Sequence, residues 1–256
     1  MLKIKRLFFL FCLFFLVAFA DAQTEKLNYT VYFHWGPIWI DGGDMVLQTE
    51  RVDYQGEEVV KLTGLGISAE KWKWLFEIND HYISWCRKGD FLPLETIKDA
   101  YEAGEKTDNH YIFDYRKSQV YIQTKNNESP IKKDTLTLDR PIYDAQCATA
   151  WLRYLDFEKL KTRDTIHLNV LLDGALYRQE FLIFKGEELL DQSGKHYEVL
   201  KFTAMMPENN LFSSTEAIRV WVTNDSQRLP LKIKADLKVG SIEVLYDNIR
   251  FKKPGN

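Results

Sequence analysis

The stretch KIKADLKVGSIEVLY, residues 232–246, alternates apolar and polar side chains almost without a break. Leu231, Ile233 and Ala235 fall on one side of the chain, whereas lysines and one aspartate fall on the other. A period of two predicts a β-sheet with one solvent-exposed face and one buried face. The alternation resumes after Gly240 with its parity shifted, which predicts a bulge or a tight reversal there. The buried face must cover either a packed core or a bound ligand.

The first 22 residues have the features of a secretory signal peptide. A basic start, MLKIKR, precedes an uninterrupted run of fourteen apolar residues, and two sites with small residues follow at 18–20 and 20–22. The run is short for a membrane span, although an uncleaved anchor is the competing interpretation. We therefore expect a signal peptide over residues 1–22 and a single β domain over residues 23–256. The expected location is periplasmic or otherwise exported, with no membrane span after cleavage.

The charge balance of the chain argues against some classes of partner. The formal net charge is −3, and the expected cleavage removes three basic residues of the leader. A mildly acidic protein of this kind is not expected to bind nucleic acid or to attach to anionic lipid by electrostatic attraction.

The body of the chain is predicted to contain about a dozen strands and one good helix. Turn signals separate the strands, including Asp173-Gly174, while Gly42-Gly43 is typical of a bulge. Segment 143–161 breaks the alternation, because its apolar residues recur at three- and four-residue spacing behind Asp144, a candidate N-cap. Short turns between neighbouring strands predict a mainly β fold, a large antiparallel meander sheet with one central α-helix covering it.

Motifs for catalysis and for metal binding are not found in the sequence. No two of the five histidines stand at a metal-ligand spacing, and nucleophile-elbow, phosphate-loop and dinucleotide motifs are missing. We therefore expect no catalytic residues, no metal and no cofactor. Carboxylates near aromatic residues and turns are Asp41, Asp44, Glu77, Asp80 and Asp90. A glycosidase needs two facing carboxylates, and nothing in the sequence marks such a pair.

Tryptophans are concentrated in the first third of the chain. Tryptophan and tyrosine line many sugar and lipid sites, but core packing is the competing interpretation. Around residue 72 the pattern is ambiguous, and a short helix capped by Ser68 would carry Leu75 and Phe76. On aromatic density alone, the candidate ligand-binding residues are Trp35, Trp39, Trp72 and Trp74.

Two cysteines follow the expected cleavage site, Cys86 and Cys147. Disulfides persist in exported proteins, and a Cys86–Cys147 bridge would stabilise the fold by roughly 3–4 kcal/mol. Two buried free thiols are the alternative, and neither cysteine lies in a context typical of a nucleophile.

Three separated blocks of sequence carry a family resemblance. They are GPIWIDGGDMVL (36–47), the helix block 141–177 and the closing block 219–246. In this order and spacing they resemble an uncharacterised family of exported proteins, a domain-of-unknown-function family common in Bacteroidetes. The resemblance implies a YmcC-like architecture, in which a large meandering sheet is curled into a half-barrel or open barrel. It implies no catalytic residues.

These observations predict a non-catalytic exported protein of the cell envelope. In this interpretation it is a binding or accessory module whose concave, largely aromatic face shelters an envelope lipid or glycan in the periplasm. One alternative is a protein-interaction or assembly module that has an envelope protein as partner and no small ligand. The other alternative is a carbohydrate-active hydrolase.

Overall fold

In the computed structural model of the chain, every described strand belongs to one sheet. The structure describes residues 24–74, 77–191, 194–205 and 214–249, so the predicted signal peptide lies outside the described residues. The strands are β1 (Thr24–Trp35), β2 (Ile38–Tyr54), β3 (Glu57–Ser68), β4 (Ile78–Cys86), β5 (Pro93–Glu102), β6 (Glu105–Asp114), β7 (Gln119–Asn126), β8 (Lys132–Thr137), β9 (Ile142–Tyr143), β10 (Thr165–Leu172), β11 (Ala175–Leu190), β12 (His196–Met205), β13 (Ile218–Thr223), β14 (Pro230–Asp236) and β15 (Ser241–Tyr246). The one α-helix of these residues, α1 (Ala145–Arg153), follows β9.

The sheet consists of two meanders that meet in its middle. Strands β1 to β8 run in order toward one edge, and strands β15 to β9 run in reverse order toward the other. The first and last strands pair with each other, with Tyr29 opposite Tyr246 and His34 opposite Ser241. All neighbours are antiparallel except β9 and β10. The prediction of a large antiparallel meander with one central helix is therefore confirmed.

The sheet curls until residues from its two ends touch. A small apolar cluster combines Tyr111 and Ile122, from β6 and β7, with Ile142 and Leu171, from β9 and β10. The tip of the β10–β11 hairpin reaches the same region, because the hydroxyl of Tyr111 accepts a hydrogen bond from the amide of Gly174 at 2.9 Å. Among the described strands no ladder joins β8 to β9. The architecture is thus an open barrel, as predicted.

A packed core fills most of the concave face. Leu27, Tyr29 and Val31, at alternate positions of β1, are buried there on one face of the strand. The Tyr29 hydroxyl donates to the carbonyl of Pro230 at 3.2 Å, which satisfies its polar group inside the core. Helix α1 buries Ala148 and Leu152 in the same cluster. The buried face of the opening stretch therefore covers protein rather than a carrier groove.

Helix α1 is shorter than the predicted helix over 143–161. It begins behind Asp144, whose carboxylate accepts a hydrogen bond from the amide of Cys147 at 2.9 Å, as expected for an N-cap. It ends at Arg153, and a 3-10 turn over Phe157–Lys159 follows. The predicted length is wrong because Leu155 and Leu160 keep the apolar spacing and pack against the core beyond the end of the α-helix, where the chain forms only a 3-10 turn.

The opening stretch forms the hairpin β14–β15, and its parity shift lies in the turn. Ile233 and Ala235 are buried, whereas Val239, on the same parity, is 60% exposed because it lies beyond the end of β14. Gly240 has a φ of +84°. A Cβ atom at this position would overlap the carbonyl oxygen of His34, so the turn packs directly on β1.

We expect Gly240→Ala to destabilise the protein more than Gly36→Ala does. Both glycines have positive φ, which costs an alanine about 1 kcal/mol, but a Cβ at Gly36 would meet nothing. The overlap at Gly240 adds roughly 1–3 kcal/mol of overpacking. Urea unfolding of the two variants measures this difference, and equal losses of stability would contradict the close approach to β1.

Candidate functional site

The four predicted tryptophans lie at one end of the sheet. Trp35 and Trp39 flank the β1–β2 turn, where Trp39 stacks on His34 with ring centroids 4.1 Å apart. Trp72 and Trp74 lie in or just behind the 3-10 turn Glu70–Trp72, and the amide of Ala69 ties this segment to the carbonyl of Gly42. None of the four is buried; Trp35 is 56% and Trp74 is 78% exposed. Their role as ligand contacts stays a prediction.

Ser68 does not cap a helix in the segment that carries Trp72. It is the last residue of β3, and its hydroxyl accepts a hydrogen bond from the amide of Ile78 at 3.1 Å. The 3-10 turn begins behind Ala69 without a side-chain cap. The predicted contribution of Leu75 and Phe76 lies outside the described residues.

Cys86 and Cys147 are buried free thiols in the structure. Cys86 lies at the end of β4, with its sulfur 3.5 Å from the carbonyl oxygen of Val60, and Cys147 lies in the first turn of α1. Burial and, second, a hydrogen bond with Cys86 raise the pKa of the Cys147 thiol, so the two side chains are neighbours. The disulfide stays a prediction, and the helix is positioned without it.

A polar cleft lies on the concave face, in the meander formed by β1 to β8. Strands β4, β5 and β6 direct alternate side chains into it, and the β10–β11 turn and the start of α1 form its other walls. Counted with the open space at its mouth, the cleft encloses about 400 Å³. Its lining includes Tyr82, Lys98, Asn109, Tyr111, Gln146 and Asp173.

Asp173 lies in the turn between β10 and β11, in the other meander, and its side chain stands at the mouth of the polar cleft. Its carboxylate accepts hydrogen bonds from Lys98 Nζ at 3.1 Å and from Asn109 Nδ2 at 2.7 Å. Asp173 and Gly174 both have positive φ, which is the geometry of the predicted two-residue hairpin turn. The turn therefore contributes a charged group to a site that is otherwise built by β4 to β6.

The start of α1 closes the cleft from the side. Asp144 accepts a hydrogen bond from Thr96 Oγ1 at 2.6 Å, and Gln146 accepts one from Ser84 Oγ at 3.0 Å. A Cβ atom at Gly64 would stand 2.7 Å from the Gln146 amide nitrogen, so this glycine gives the side chain room. The helix terminus is thus held by polar contacts with β4 and β5.

Next to the polar cleft, Asp80 and Glu102 form a buried carboxyl pair on β4 and β5. Glu102 is only 8% exposed. Burial, followed by the charge of Asp80, raises the pKa of Glu102 to about 8, against the opposing effect of Lys98. A hydrogen bond from protonated Glu102 to Asp80 acts in the same direction. At neutral pH we therefore expect one proton to be shared by the pair.

Two buried oxygen atoms of this region have no hydrogen-bond partner within the described part of the chain. They are Oε1 of Glu102 and Oδ1 of Asn109, and the Asn109 side chain lines the cleft at 4% exposure. Buried polar atoms in native proteins are nearly always paired with protein, water or ligand. Both atoms are acceptors, so their missing partners are donors.

Sequence reasoning did not identify most of this site. Asp80 is among the carboxylates noted in the sequence, but its partner Glu102 is not. The available signal was parity, because Lys98, Ala100 and Glu102 share the inward face of β5. That signal was weak, since nothing in the sequence tells which face of β5 is inward when both faces carry charges.

The described residues contain neither a metal-binding cluster nor a membrane-spanning helix. No group of three or more histidine, cysteine, aspartate or glutamate side chains in these residues could hold a metal ion. No helix in the part of the chain that the structure describes is long and apolar enough to cross a membrane.

An open barrel with a polar cleft beneath one helix defines the class of this protein, and comparisons supply the family. The family described as "Protein of unknown function (DUF3108)" matches residues 28–247, and the chain belongs to it. A crystal structure of a "Beta-barrel-like Protein of Domain of Unknown Function DUF1849" from Brucella abortus is similar at a TM-score of 0.57 and 6% identity, covering 93% of this chain and 99% of that chain. This likeness concerns the fold alone. No curated protein gave a significant match.

We expect Glu102→Gln to change how stability depends on pH. Between about pH 4.5 and pH 8 the folded protein holds a proton on Glu102 that the unfolded chain releases, so the wild type loses stability as pH rises through this window. Where the folded protein binds one proton more than the unfolded chain, the free energy of unfolding falls by about 1.4 kcal/mol per pH unit. Glutamine cannot ionise, so the variant should be more stable than the wild type at pH 8.

Urea unfolding at several pH values measures this effect. Asp99→Asn is the matched control, because Asp99 is exposed on the outward face of the same strand. Parallel stability curves for wild type and Glu102→Gln would show that Glu102 is ionised at neutral pH, contrary to this electrostatic account.

Proposed function

We propose that this protein is an exported, non-catalytic binding module of the cell envelope, and that the polar cleft receives the polar part of an envelope glycan or lipid. The observation that supports this is the buried, unmatched amide oxygen of Asn109 in the lining of a cleft that opens to solvent. Export and a periplasmic location belong to the proposal and rest on the leader-like sequence of residues 1–22. A YmcC-like half-barrel shared with exported Bacteroidetes proteins is part of the same proposal.

The chemistry of the cleft favours a polar ligand group over a lipid chain. The apolar part of the concave face is occupied by α1 and by side chains such as Tyr29 and Phe202. The remaining cleft is bordered by Lys98, Asn109 and Asp173, whose burial next to an acyl chain would cost several kcal/mol. A sugar or a headgroup replaces the hydrogen bonds that these groups lose with water.

The carboxyl pair does not have the separation that glycoside hydrolysis needs. A hydrolase places its two carboxylates about 5–10 Å apart with the glycosidic bond between them. The strong effect of Asp80 on the pKa of Glu102 indicates that the two carboxyl groups are immediate neighbours, which leaves no room for a glycosidic bond between them. We therefore propose binding rather than hydrolysis for this site.

The exposed tryptophans supply a second contact region for the same role. Trp35 and Ile38 are both at least half exposed at the β1–β2 turn. Aromatic side chains of this kind stack on sugar rings or on partner surfaces. We propose that they contact a more distant part of the ligand or an envelope partner.

Native mass spectrometry of protein purified from its own cells, before and after mild organic extraction, tests the proposal. We expect a bound mass on the wild type that Asn109→Leu removes, because leucine has a similar size but cannot hydrogen-bond the ligand. Asp99→Asn, on the outward face of β5, is the matched control, and Trp35→Ala tests the second contact region. Loss of the bound mass in Trp35→Ala alone would move the site to the tryptophans.

A native mass of the wild type that equals the mass of the protein alone would contradict the binding proposal. Crosslinking in intact cells then distinguishes the alternatives, because an assembly module should yield a discrete protein partner. A crosslinked partner that depends on Trp35, with no bound small molecule, would favour the interaction module.

A further inference from the structure

The charges around the polar cleft are unbalanced. Carboxyl groups of Asp80, Glu102, Asp144 and Asp173 surround one ammonium group, that of Lys98. Lys98 Nζ is bound to Asp173 at 3.1 Å. Even with Glu102 protonated, the negative groups outnumber the positive one, so the local potential disfavours an anionic ligand and attracts a cation.

The unmatched atoms of the site add a requirement for hydrogen-bond donors. Glu102 Oε1 and Asn109 Oδ1 are buried acceptors without a partner in the described residues. An ammonium group carries three donors and no acceptor, so it matches acceptors alone. A phosphate or carboxylate group brings acceptors only and would leave both oxygen atoms unpaired.

Two aromatic residues complete the wall of the cleft. Tyr82 and Tyr111 line it, and Lys98 Nζ already lies 5.6 Å from the centroid of the Tyr82 ring. Ring faces attract cations through their quadrupole, more strongly where water is excluded. The wall is therefore compatible with a second positive group at the mouth of the cleft.

We propose that the polar cleft binds the protonated primary amine of its ligand. This inference rests on the proposed binding function and specifies the group that enters the cleft. An amino sugar and an aminoalcohol headgroup of a lipid both supply that chemistry. The ammonium lies against the Asn109 amide oxygen in the cleft wall, where the charge of the neighbouring Asp80–Glu102 pair attracts it, while the rest of the ligand extends through the open mouth past Asp173.

Nitrogen–proton correlation spectra of the full chain test the inference with four probes. Ethanolamine represents the headgroup source and glucosamine represents the sugar source. Glucose and N-acetylglucosamine are the matched controls, because they retain the hydroxyl groups but carry no charge. We expect cleft amides, including that of Gly174, to shift with at least one amine, at an affinity about tenfold or more above that for either control.

Variants of the cleft provide the second readout. Asn109→Leu should abolish the shifts caused by the amine, and Asp99→Asn, on the outward face of β5, should leave them unchanged. The dispersion of each spectrum shows whether the variant is folded. If Asn109→Leu fails to fold, Glu102→Gln replaces it in a measurement near pH 8, where the wild-type carboxyl ionises, and should weaken amine binding while preserving size and shape.

The pH dependence of ethanolamine binding provides a third readout. Glu102 is faced by Asp80 of β4, by Lys98 of β5, by Asp173 of the β10–β11 turn and by Glu105, its register partner on β6. A bound ammonium favours ionised Glu102, so affinity should rise as pH increases toward about 8. Glu102→Gln should remove this rise.

The outcomes separate this inference from the function on which it rests. Equal affinity for glucosamine and glucose would overturn the amine and leave glycan binding in place. No response to any probe, combined with a bound mass in native spectrometry, would also overturn the amine alone. Shifts caused by ethanolamine but not by glucosamine assign the amine to a lipid headgroup. Shifts caused by glucosamine but not by ethanolamine assign it to a sugar.

Discussion

The pairing of the first strand with the last holds the whole structure together. Strands β1 and β15 join in the middle of the sheet, with Tyr29 opposite Tyr246 and the Tyr29 hydroxyl bonded to β14. Each meander forms from local hairpins, but only this long-range pair makes them one sheet. One continuous sheet can curl, and its curl brings the β10–β11 turn onto β5 and β6. The polar cleft therefore depends on contacts made far from it.

The concave face has two chemically different regions, and their energetics differ. Around α1 the inward residues are apolar, and their burial stabilises the fold at about 25 cal/mol per Å². Around the cleft the same inward positions carry Asp80, Lys98 and Glu102. Burying such charges costs free energy that their mutual pairing only partly offsets. The fold therefore keeps a costly polar region inside an otherwise ordinary core.

Much of the fold could be predicted from the sequence, because the signals that determine it are local. Alternation identifies β14 and β15, and Asp173-Gly174 and Asp144 mark a turn and a helix start that the structure confirms. The length of α1 could not be predicted, since Leu155 and Leu160 keep the apolar spacing in a segment that is not α-helical.

The candidate site could not be predicted from the sequence, for a different physical reason. Asp80, Asn109 and Asp173 are separated along the chain and meet only because the sheet curls. The density of tryptophan pointed to the β1–β2 end instead, where the side chains are exposed and no polar cleft contains them. Aromatic residues are conspicuous in composition, whereas an inward-facing carboxyl resembles any surface carboxyl until the strand's face is known.

The polar region is the physical basis of the proposal that this protein binds a ligand. Apolar residues at positions 80 and 102 would suit a core built for stability alone, because buried charged groups can often be replaced by packed apolar ones without loss. The chain instead carries a carboxyl pair with a raised pKa and leaves acceptor atoms of Glu102 and Asn109 unmatched beside an opening. Ordered water can satisfy such atoms, but water does not balance the excess negative charge. A ligand that supplies both donors and positive charge satisfies both requirements.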